Sequence, residues 1–131
     1  MTRVTRCGWE WRAVRDVRAM PAGTVFVMDQ KLAIFADRRL PDDYYATDWY
    51  GLSITGGGEE WIGRMIEAAD VVVVTERLVI GMTAANVETL VRTGRPVYFP
   101  KLAEEQDFNR KFGTQPLTVW PRGAETPTRS R

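Results

Sequence analysis

A run of four valines at residues 71–74 constrains the fold of this chain more than any other stretch. A strand with one face in water alternates apolar and polar residues, and this run has no polar position. Both faces of the strand must therefore be covered. Such cover is typical of the interior of a parallel sheet with helices on each side.

Stretches of helical spacing flank the valine run, and further strand-like runs lie before it at 50–55 and after it at 95–100 and 116–120. The expected core stripes are Trp61, Ile62, Met65, Ile66 and Ala69 in the first stretch, and Ala84, Val87, Leu90 and Val91 in the second. Strand and helix therefore alternate, which is typical of α/β proteins. We predict a three-layer, Rossmann-like (flavodoxin-like) α/β fold with a mostly parallel central sheet of about five strands.

The first forty residues depart from this alternation. The run TVFVMD at 24–29 resembles a strand, and KLAIFAD at 31–37 follows it closely, which predicts an N-terminal hairpin turning at 29–31. Residues 1–20 are rich in Arg and Trp, and their apolar spacing suits a helix face and an edge strand equally. Such a segment can bind nucleic acid by stacking and phosphate contact. A packed amphipathic segment with solvated arginines is the favoured interpretation.

The 131 residues predict one α/β domain over 1–120 and a flexible tail, rich in Pro, Gly, Thr and Arg, over 121–131. A net charge of +1 gives no overall reason to expect nucleic acid or an anionic membrane as partner. No apolar run approaches the ~18 residues of a membrane span, and no signal-peptide core follows the N-terminus. We therefore expect a cytoplasmic protein that binds neither membranes nor nucleic acid.

The chain has no histidine, and Cys7 is its single cysteine. An internal disulfide and a Ser/His/Asp or Cys/His catalytic arrangement are therefore excluded. A zinc site would have to be built almost wholly from carboxylates. Zinc sites in proteins rarely have that composition, because cysteine and histidine are the usual ligands. We expect no metal and no cofactor, and any acid, base or nucleophile must be a carboxylate.

Ligands of open parallel sheets bind beyond the carboxyl ends of the strands. That rule places residues 55–58, 75–77 and 100–101 on one rim. Gly56, Gly57 and Gly58 would let the backbone approach a ligand at a helix start, and the two glutamates that follow favour a ribose over a phosphate there. Thr75 ends the valine strand, and Thr83 is the expected cap of the next helix at the same rim.

Two segments near this rim extend the prediction. The polar, aromatic loop at 37–49 carries Tyr44, Tyr45 and Trp49, which are suited to stacking a base or to anchoring the loop. The segment ERLVIGM at 76–82 is apolar for a connection. We predict that it is a loop, either a flap over a ligand or a contact patch for a partner chain.

Residues 66–99 resemble the second half of the nucleoside 2-deoxyribosyltransferase-like group of small α/β proteins. The likeness is carried by Ala69-Asp70 before the valines and by TAANVETLVRTGRPVY at 83–98. The same outline resembles TIR domains, which cleave the glycosidic bond of NAD. The resemblance implies a nucleoside, nucleotide or NAD-like ligand and chemistry at an N-glycosidic bond.

The family's nucleophilic glutamate aligns with Asn86, and an amide cannot attack an anomeric carbon. In a TIR-like register, Glu88 takes the catalytic position instead. Helical geometry places Glu88 about 200° round from Asn86, where it could simply pair with Arg92 on the solvent face. Glu76, at the end of the valine strand, and an aspartate of the 37–49 loop are the other candidate acids or nucleophiles.

Two functional hypotheses follow. The first is a small nucleoside- or nucleotide-binding protein, with or without cleavage of an N-glycosidic bond. Its site would comprise Glu76 and Glu88 as catalytic candidates and Gly56, Gly57, Gly58, Thr75, Thr83, Asn86, Tyr44, Tyr45 and Trp49 as ligand contacts. The second is a catalytically inactive interaction module, of phage or mobile-element type, that binds another protein or a second copy of the chain.

Overall fold

The structure is a computed structural model that describes residues 8–42, residue 44 and residues 58–123. Within these residues one sheet contains four strands, β1 (Val25–Phe26), β2 (Val71–Val73), β3 (Pro96–Tyr98) and β4 (Thr118–Trp120). Their spatial order is β1-β2-β3-β4 and every pairing is parallel. The α/β class and the parallel sheet are thus confirmed, with four described strands rather than about five. The strand predicted at 50–55 lies outside the described residues.

Helices cover both faces of this sheet. The described helices are α1 (Gly8–Ala19), α2 (Gln30–Phe35), α3 (Gly58–Ala68), α4 (Glu76–Gly81), α5 (Ala84–Thr93) and α6 (Leu102–Phe112). Apolar residues of α1 and α2 pack on one face, and those of α3 to α6 pack on the other. None of the helices in this part of the chain combines the length and apolar character needed to cross a bilayer.

The valine run is divided between the two faces. Val72 and Val74 belong to the apolar cluster under α3 to α6, whereas Val71 and Val73 belong to the cluster under α1 and α2. All four side chains are buried. This alternation has the two-residue period of a strand, and it confirms that both faces are covered.

The winding direction of the sheet reverses at β1. The backbone N–H of Val25 donates to Arg39 O at 2.8 Å, whereas Thr24 O accepts from the N–H of Asp70 on the β2 side at 2.8 Å. Because successive peptide groups of a strand point to opposite edges, the bridge between Thr24 and Arg39 lies on the edge of β1 that faces away from β2. The chain reaches that edge by way of α2 on one face and reaches β2 by way of α3 on the other face.

The predicted N-terminal hairpin is wrong. Residues 30–35 form α2, and β1 pairs in parallel with β2. Asp29 caps the helix, its Oδ1 accepting from the backbone N–H of Lys31 at 3.1 Å. Leu32, Ala33 and Ala36 are buried, a helical spacing that the short apolar run concealed.

The predicted apolar loop at 76–82 is wrong as well, because its residues 76–81 form α4. Leu78 and Val79 are buried, and Ile80 is exposed. The Lys111 ammonium donates to the carbonyls of Val79, Ile80 and Met82 at 2.8, 3.1 and 3.1 Å. It thereby satisfies carbonyls that the end of a helix leaves without partners.

Helix α5 has the N-cap that the sequence predicts, but its inner face differs. Thr83 is the N-cap, and Gly94 closes the helix in the left-handed region at φ 67°. Val87 and Leu90 are buried, whereas Ala84, which was expected on the sheet side, is exposed. Asn86 takes the inward position at the first turn.

Of the two alternatives for the N-terminal segment, the structure has a helix over its described part. Val14 and Val17 are buried against the sheet. The Asp16 carboxylate accepts from the Tyr98 hydroxyl at 2.5 Å and from the backbone N–H of Gly123 at 3.1 Å. Helix α1 is thus joined to β3 and to the chain beyond β4. Residues 124–131 of the predicted tail lie outside the described residues.

Candidate functional site

An open cleft of about 560 Å³, here called the edge cleft, lies at the carboxyl ends of β1, β2 and β3. It is lined by the turns that follow these strands, namely residues 28–31, residues 75–77, Lys101 and Glu104. Small-molecule sites typically enclose about 300–1,000 Å³. The cleft also lies where the sheet winding reverses, the position at which doubly wound sheets bind ligands.

Charged side chains of both signs surround the edge cleft. Asp29 and Glu76 are acidic, Lys31 and Arg77 are basic, and all four are exposed. The Arg77 guanidinium makes no hydrogen bond or ion pair to any residue that the structure describes. Guanidinium and ammonium groups bind phosphate, and carboxylates accept hydrogen bonds from sugar hydroxyls.

Glu104 forms the inner wall of the edge cleft, and sequence reasoning missed it. Its side chain is only 4% exposed. Oε2 accepts from the backbone N–H of Glu76 at 3.1 Å, and Oε1 accepts from the backbone N–H of Lys101 at 3.0 Å. One carboxylate therefore caps α4 and α6 together, and it holds the turns after β2 and β3 side by side.

Burial raises the pKa of Glu104 above its ordinary value of 4.5. The two backbone N–H groups and the nearby Lys101 charge act in the opposite direction, because they favour the ionised form, but burial outweighs them. One local signal could have identified this residue. A glutamate three residues after a helix cap is the second half of a capping box, and Glu104 has that position relative to Lys101.

Thr75 stands at the N-cap of α4, but its side chain does not cap the helix. The carboxylate of Glu104 occupies that role instead. The Thr75 Oγ1 atom is buried, and no hydrogen-bond partner for it occurs in the described part of the chain. A buried hydroxyl without a partner typically costs about 1–3 kcal/mol. A ligand or solvent atom that reached Oγ1 from the cleft would be favoured accordingly.

Thr83 and Asn86 lie away from the edge cleft, at a junction between α3 and α5. The Thr83 hydroxyl donates to the Glu59 carboxylate at 2.9 Å. Asn86 is 2% exposed; its Nδ2 donates to Glu59 O at 2.9 Å, and its Oδ1 accepts from the backbone N–H of Thr83 at 3.1 Å. Asn86 therefore directs its amide to protein groups and joins the two helix starts.

The predicted glycine turn is described only at Gly58, the buried first residue of α3. Gly56 and Gly57 lie outside the described residues. The starts of α3 and α5 do adjoin, as the sequence predicts, but hydrogen-bonded side chains occupy the space between them. This junction leaves Thr83 and Asn86 little freedom to contact a ligand.

Glu88 is exposed and lines a different depression, a groove of about 510 Å³ beside Val91 and Phe112. The two catalytic candidates, Glu76 and Glu88, therefore face separate cavities. The alternative that puts Glu88 on the solvent face agrees with its exposure, but Arg92 bonds to Glu67 on α3 at 3.0 Å. The packing of α5 against α3 provides that partner.

Tyr44 is half-buried in an aromatic cluster at the edge-cleft end of β1. Its ring lies 6.3 Å from the Phe26 ring and 5.7 Å from the Trp61 ring, between centroids. Its hydroxyl donates to Met28 O at 3.3 Å. These contacts match the anchoring alternative for this loop residue. Tyr45 and Trp49 lie outside the described residues.

Within the described ranges, no three His, Cys, Asp or Glu side chains are grouped so that they could hold a metal ion. Comparisons of the chain with protein-family models, with curated proteins and with solved structures find no match. The resemblance to nucleoside 2-deoxyribosyltransferases therefore stays a prediction.

Proposed function

We propose that this protein binds a nucleoside or nucleotide in the edge cleft, on a sheet of Rossmann-like, flavodoxin-like type. The observation that carries the proposal is the position of the cleft, since the turns after three parallel strands meet there, at the reversal of the winding. In doubly wound sheets this is the position of nucleotide sites. A nucleotide also has the two kinds of polar group that the charged lining can bind.

In the proposed mode the phosphate, or the pyrophosphate of an NAD-like ligand, contacts Arg77 and Lys31. These exposed cations lie in the first turns of α2 and α4, which pack on opposite faces of the sheet. The ribose hydroxyls donate to Asp29 and Glu76. Arg77 supplies the specificity for a phosphate group, since a guanidinium can hold two phosphate oxygens at once.

If the ligand is cleaved at its N-glycosidic bond, Glu76 is the carboxylate placed to act as nucleophile or acid. It is exposed in the edge cleft, and its side chain forms no hydrogen bond to the described residues. Glu104 instead directs both oxygens to backbone N–H groups, so it positions the backbone of Glu76. Glu88 would require a substrate that sits in the other groove.

A thermal-shift screen with nucleosides, nucleoside monophosphates, NAD and ADP-ribose tests the binding proposal. A ligand that binds only the folded state stabilises it by about 2.7 kcal/mol at a hundredfold excess over its Kd. Arg77→Ala should abolish the shift for phosphate-bearing ligands. Arg64→Ala, which removes an exposed arginine of α3, is the matched control and should leave the shift unchanged. No shift with any ligand at millimolar concentration would refute the proposal.

Catalysis is tested separately by base release from the ligand that binds. Glu76→Gln should abolish release and retain binding, because the amide keeps the shape of the side chain but cannot act as nucleophile or acid. Glu88→Gln should have no effect. The opposite pattern would assign the reaction to the groove beside Phe112.

The interaction module is the competing proposal, and one observation favours it. Ile80, in the segment predicted as a contact patch, is 72% exposed. A silent ligand screen, together with an Ile80→Asp variant that loses a complex formed by the wild type, would favour this alternative.

A further inference from the structure

Two aromatic side chains form an exposed stack on the face of the protein that carries α1 and α2. The Trp11 and Phe35 rings lie 6.1 Å apart between centroids, with an interplanar angle of 29°. Trp11 is 63% exposed and Phe35 is 51% exposed. One face of the indole packs on Phe35, so the high exposure of Trp11 leaves its other face open to solvent.

Basic side chains surround this stack. Arg15 and Arg18 follow Trp11 by four and seven residues, so they share its side of α1, and both are exposed. The Arg18 guanidinium donates to Phe35 O, which fixes it beside the aromatic pair. That bond uses one of five guanidinium N–H donors. Lys31 lies four residues before Phe35 on α2, on the same side, and it is exposed too.

Among the described residues, two exposed carboxylates lie near these three cations, Asp29 at the start of α2 and Asp37 beyond its end. The Asp16 carboxylate is turned towards Tyr98 and Gly123, away from the stack. Helix α2 contains no acidic residue. Asp37, beyond the end of α2, is the exposed carboxylate nearest in sequence to Phe35, and Arg38 follows it directly. Among the described residues, the surface therefore combines a free aromatic face with three exposed cations against two exposed carboxylates.

We propose that this aromatic–basic surface, formed by Trp11, Arg15, Arg18, Lys31 and Phe35, binds single-stranded nucleic acid. A base stacks on the open face of Trp11, and the flanking phosphates contact the three cations. The combination of an aromatic platform with backbone-tracking cations is the usual physical basis of single-strand binding. The net charge of +1 describes the whole chain, whereas a strand responds to the charges within a Debye length of it. This surface shares only Lys31 with the edge cleft, whose lining contains neither the aromatic pair nor the two arginines of α1.

Fluorescence anisotropy with labelled 12-residue oligomers of deoxythymidine and of uridine tests the proposal. Contact of three cations with phosphates predicts that log K falls with log salt with a slope of about −2, since each neutralised phosphate of a single strand contributes about −0.7. Trp11→Ala should weaken binding about tenfold or more, as loss of one stacked base typically does. Arg15→Ala should make the slope shallower by about 0.7.

Trp11→Phe retains an aromatic face and should keep most of the affinity, which separates stacking from a general effect on folding. Ile80→Ala and Arg64→Ala are matched controls, an exposed apolar residue and an exposed arginine on other helices, and both should bind like the wild type. The relative affinities of the two oligomers identify DNA or RNA as the preferred strand.

Three results would overturn the proposal. In the first case, neither oligomer binds at about 50 mM salt, where phosphate contacts are strong. In the second case, an oligomer binds and Trp11→Ala leaves its affinity unchanged. In the third case, sedimentation shows a dimer that Trp11→Ala dissociates, which would assign the surface to contact between two copies of the chain.

Discussion

Replacing Glu104 with glutamine removes one of two buried hydrogen bonds that hold the starts of α4 and α6 together at the edge cleft. The carboxylate accepts from the backbone N–H groups of Glu76 and Lys101 at 3.1 and 3.0 Å. The amide of glutamine has one acceptor oxygen, and its NH₂ group must face the other N–H donor. One buried backbone donor is thereby left without a partner.

A hydrogen bond to a charged group contributes about 1.5–3 kcal/mol, so we expect Glu104→Gln to lower the free energy of unfolding by about 2 kcal/mol at neutral pH. For a chain of this length 1 kcal/mol corresponds to about 4 °C in Tm, so the expected fall is about 8 °C. Glu88→Gln, the same substitution at an exposed position, should change stability by less than about 0.5 kcal/mol.

The pH dependence gives a second, independent test. Burial raises the folded-state pKa of Glu104 above 4.5, so the folded protein retains this proton where the unfolded chain has lost it. The stability that results is fully present below pH 4.5, and it is lost as the pH rises through the folded-state pKa. Glutamine does not titrate. The destabilisation caused by Glu104→Gln should therefore be largest in acid and should shrink as the pH rises.

Urea unfolding, monitored by circular dichroism at several pH values for the wild type, Glu104→Gln and Glu88→Gln, measures both quantities. The other carboxylates titrate in all three proteins, so their effects cancel in the differences. If Glu104→Gln matches the wild type within about 0.5 kcal/mol at every pH, the carboxylate does not hold the two helix starts together. Replacing a buried acceptor of two helix N–H groups should otherwise lower the free energy of unfolding. A destabilisation that grows with pH would refute the assigned direction of the pKa shift.

Three further substitutions test the packing around the sheet. Gly94→Ala should destabilise the protein by about 1 kcal/mol or more, because φ at this position is 67°. Gly63→Ala should instead stabilise it by about 0.5–1 kcal/mol, because the added methyl would meet Asn86 Nδ2 at an ordinary 3.8 Å and alanine favours the helix; thermal unfolding of both variants measures the contrast. Tyr98→Phe removes the 2.5 Å bond to Asp16 and should cost about 1.5–3 kcal/mol in urea unfolding. Burial and Asp16 raise the pKa of Tyr98 above its ordinary value of 10.0, so this stability should persist to pH 10 and fall only above it, and a loss that begins well below pH 10 would contradict the assignment.

Part of the site was predictable, because some of its residues are placed by the strands alone. The rule that parallel strands end at one edge puts the residues after β2 and β3 together, and Thr75, Glu76, Arg77 and Lys101 do line one cleft. The contribution of Asp29 and Lys31 was not predictable, because the sequence pattern predicts a strand where the structure has α2. A six-residue helix and a short strand have nearly the same apolar pattern.

The roles of Asn86 and Glu104 depend on contacts that are remote in sequence. Asn86 bonds to a carbonyl 27 residues away, and Glu104 bonds to an N–H group 28 residues away. A family pattern suggested a ligand-binding role for Asn86, but the Asn86 amide donates to the backbone carbonyl of Glu59 on α3. No periodicity within α6 indicates that its first-turn glutamate also caps α4.

The sequence by itself determined the elements whose signals are local. These are the doubly covered valine strand, the stripe of α3, the cap at Thr83 and the stop at Gly94, because apolar period and capping chemistry act within a few residues. Tertiary structure alone decided which polar groups face a cleft and which face another helix. That choice depends on which elements become neighbours, and the packing of the whole sheet with its two helical layers determines those neighbours.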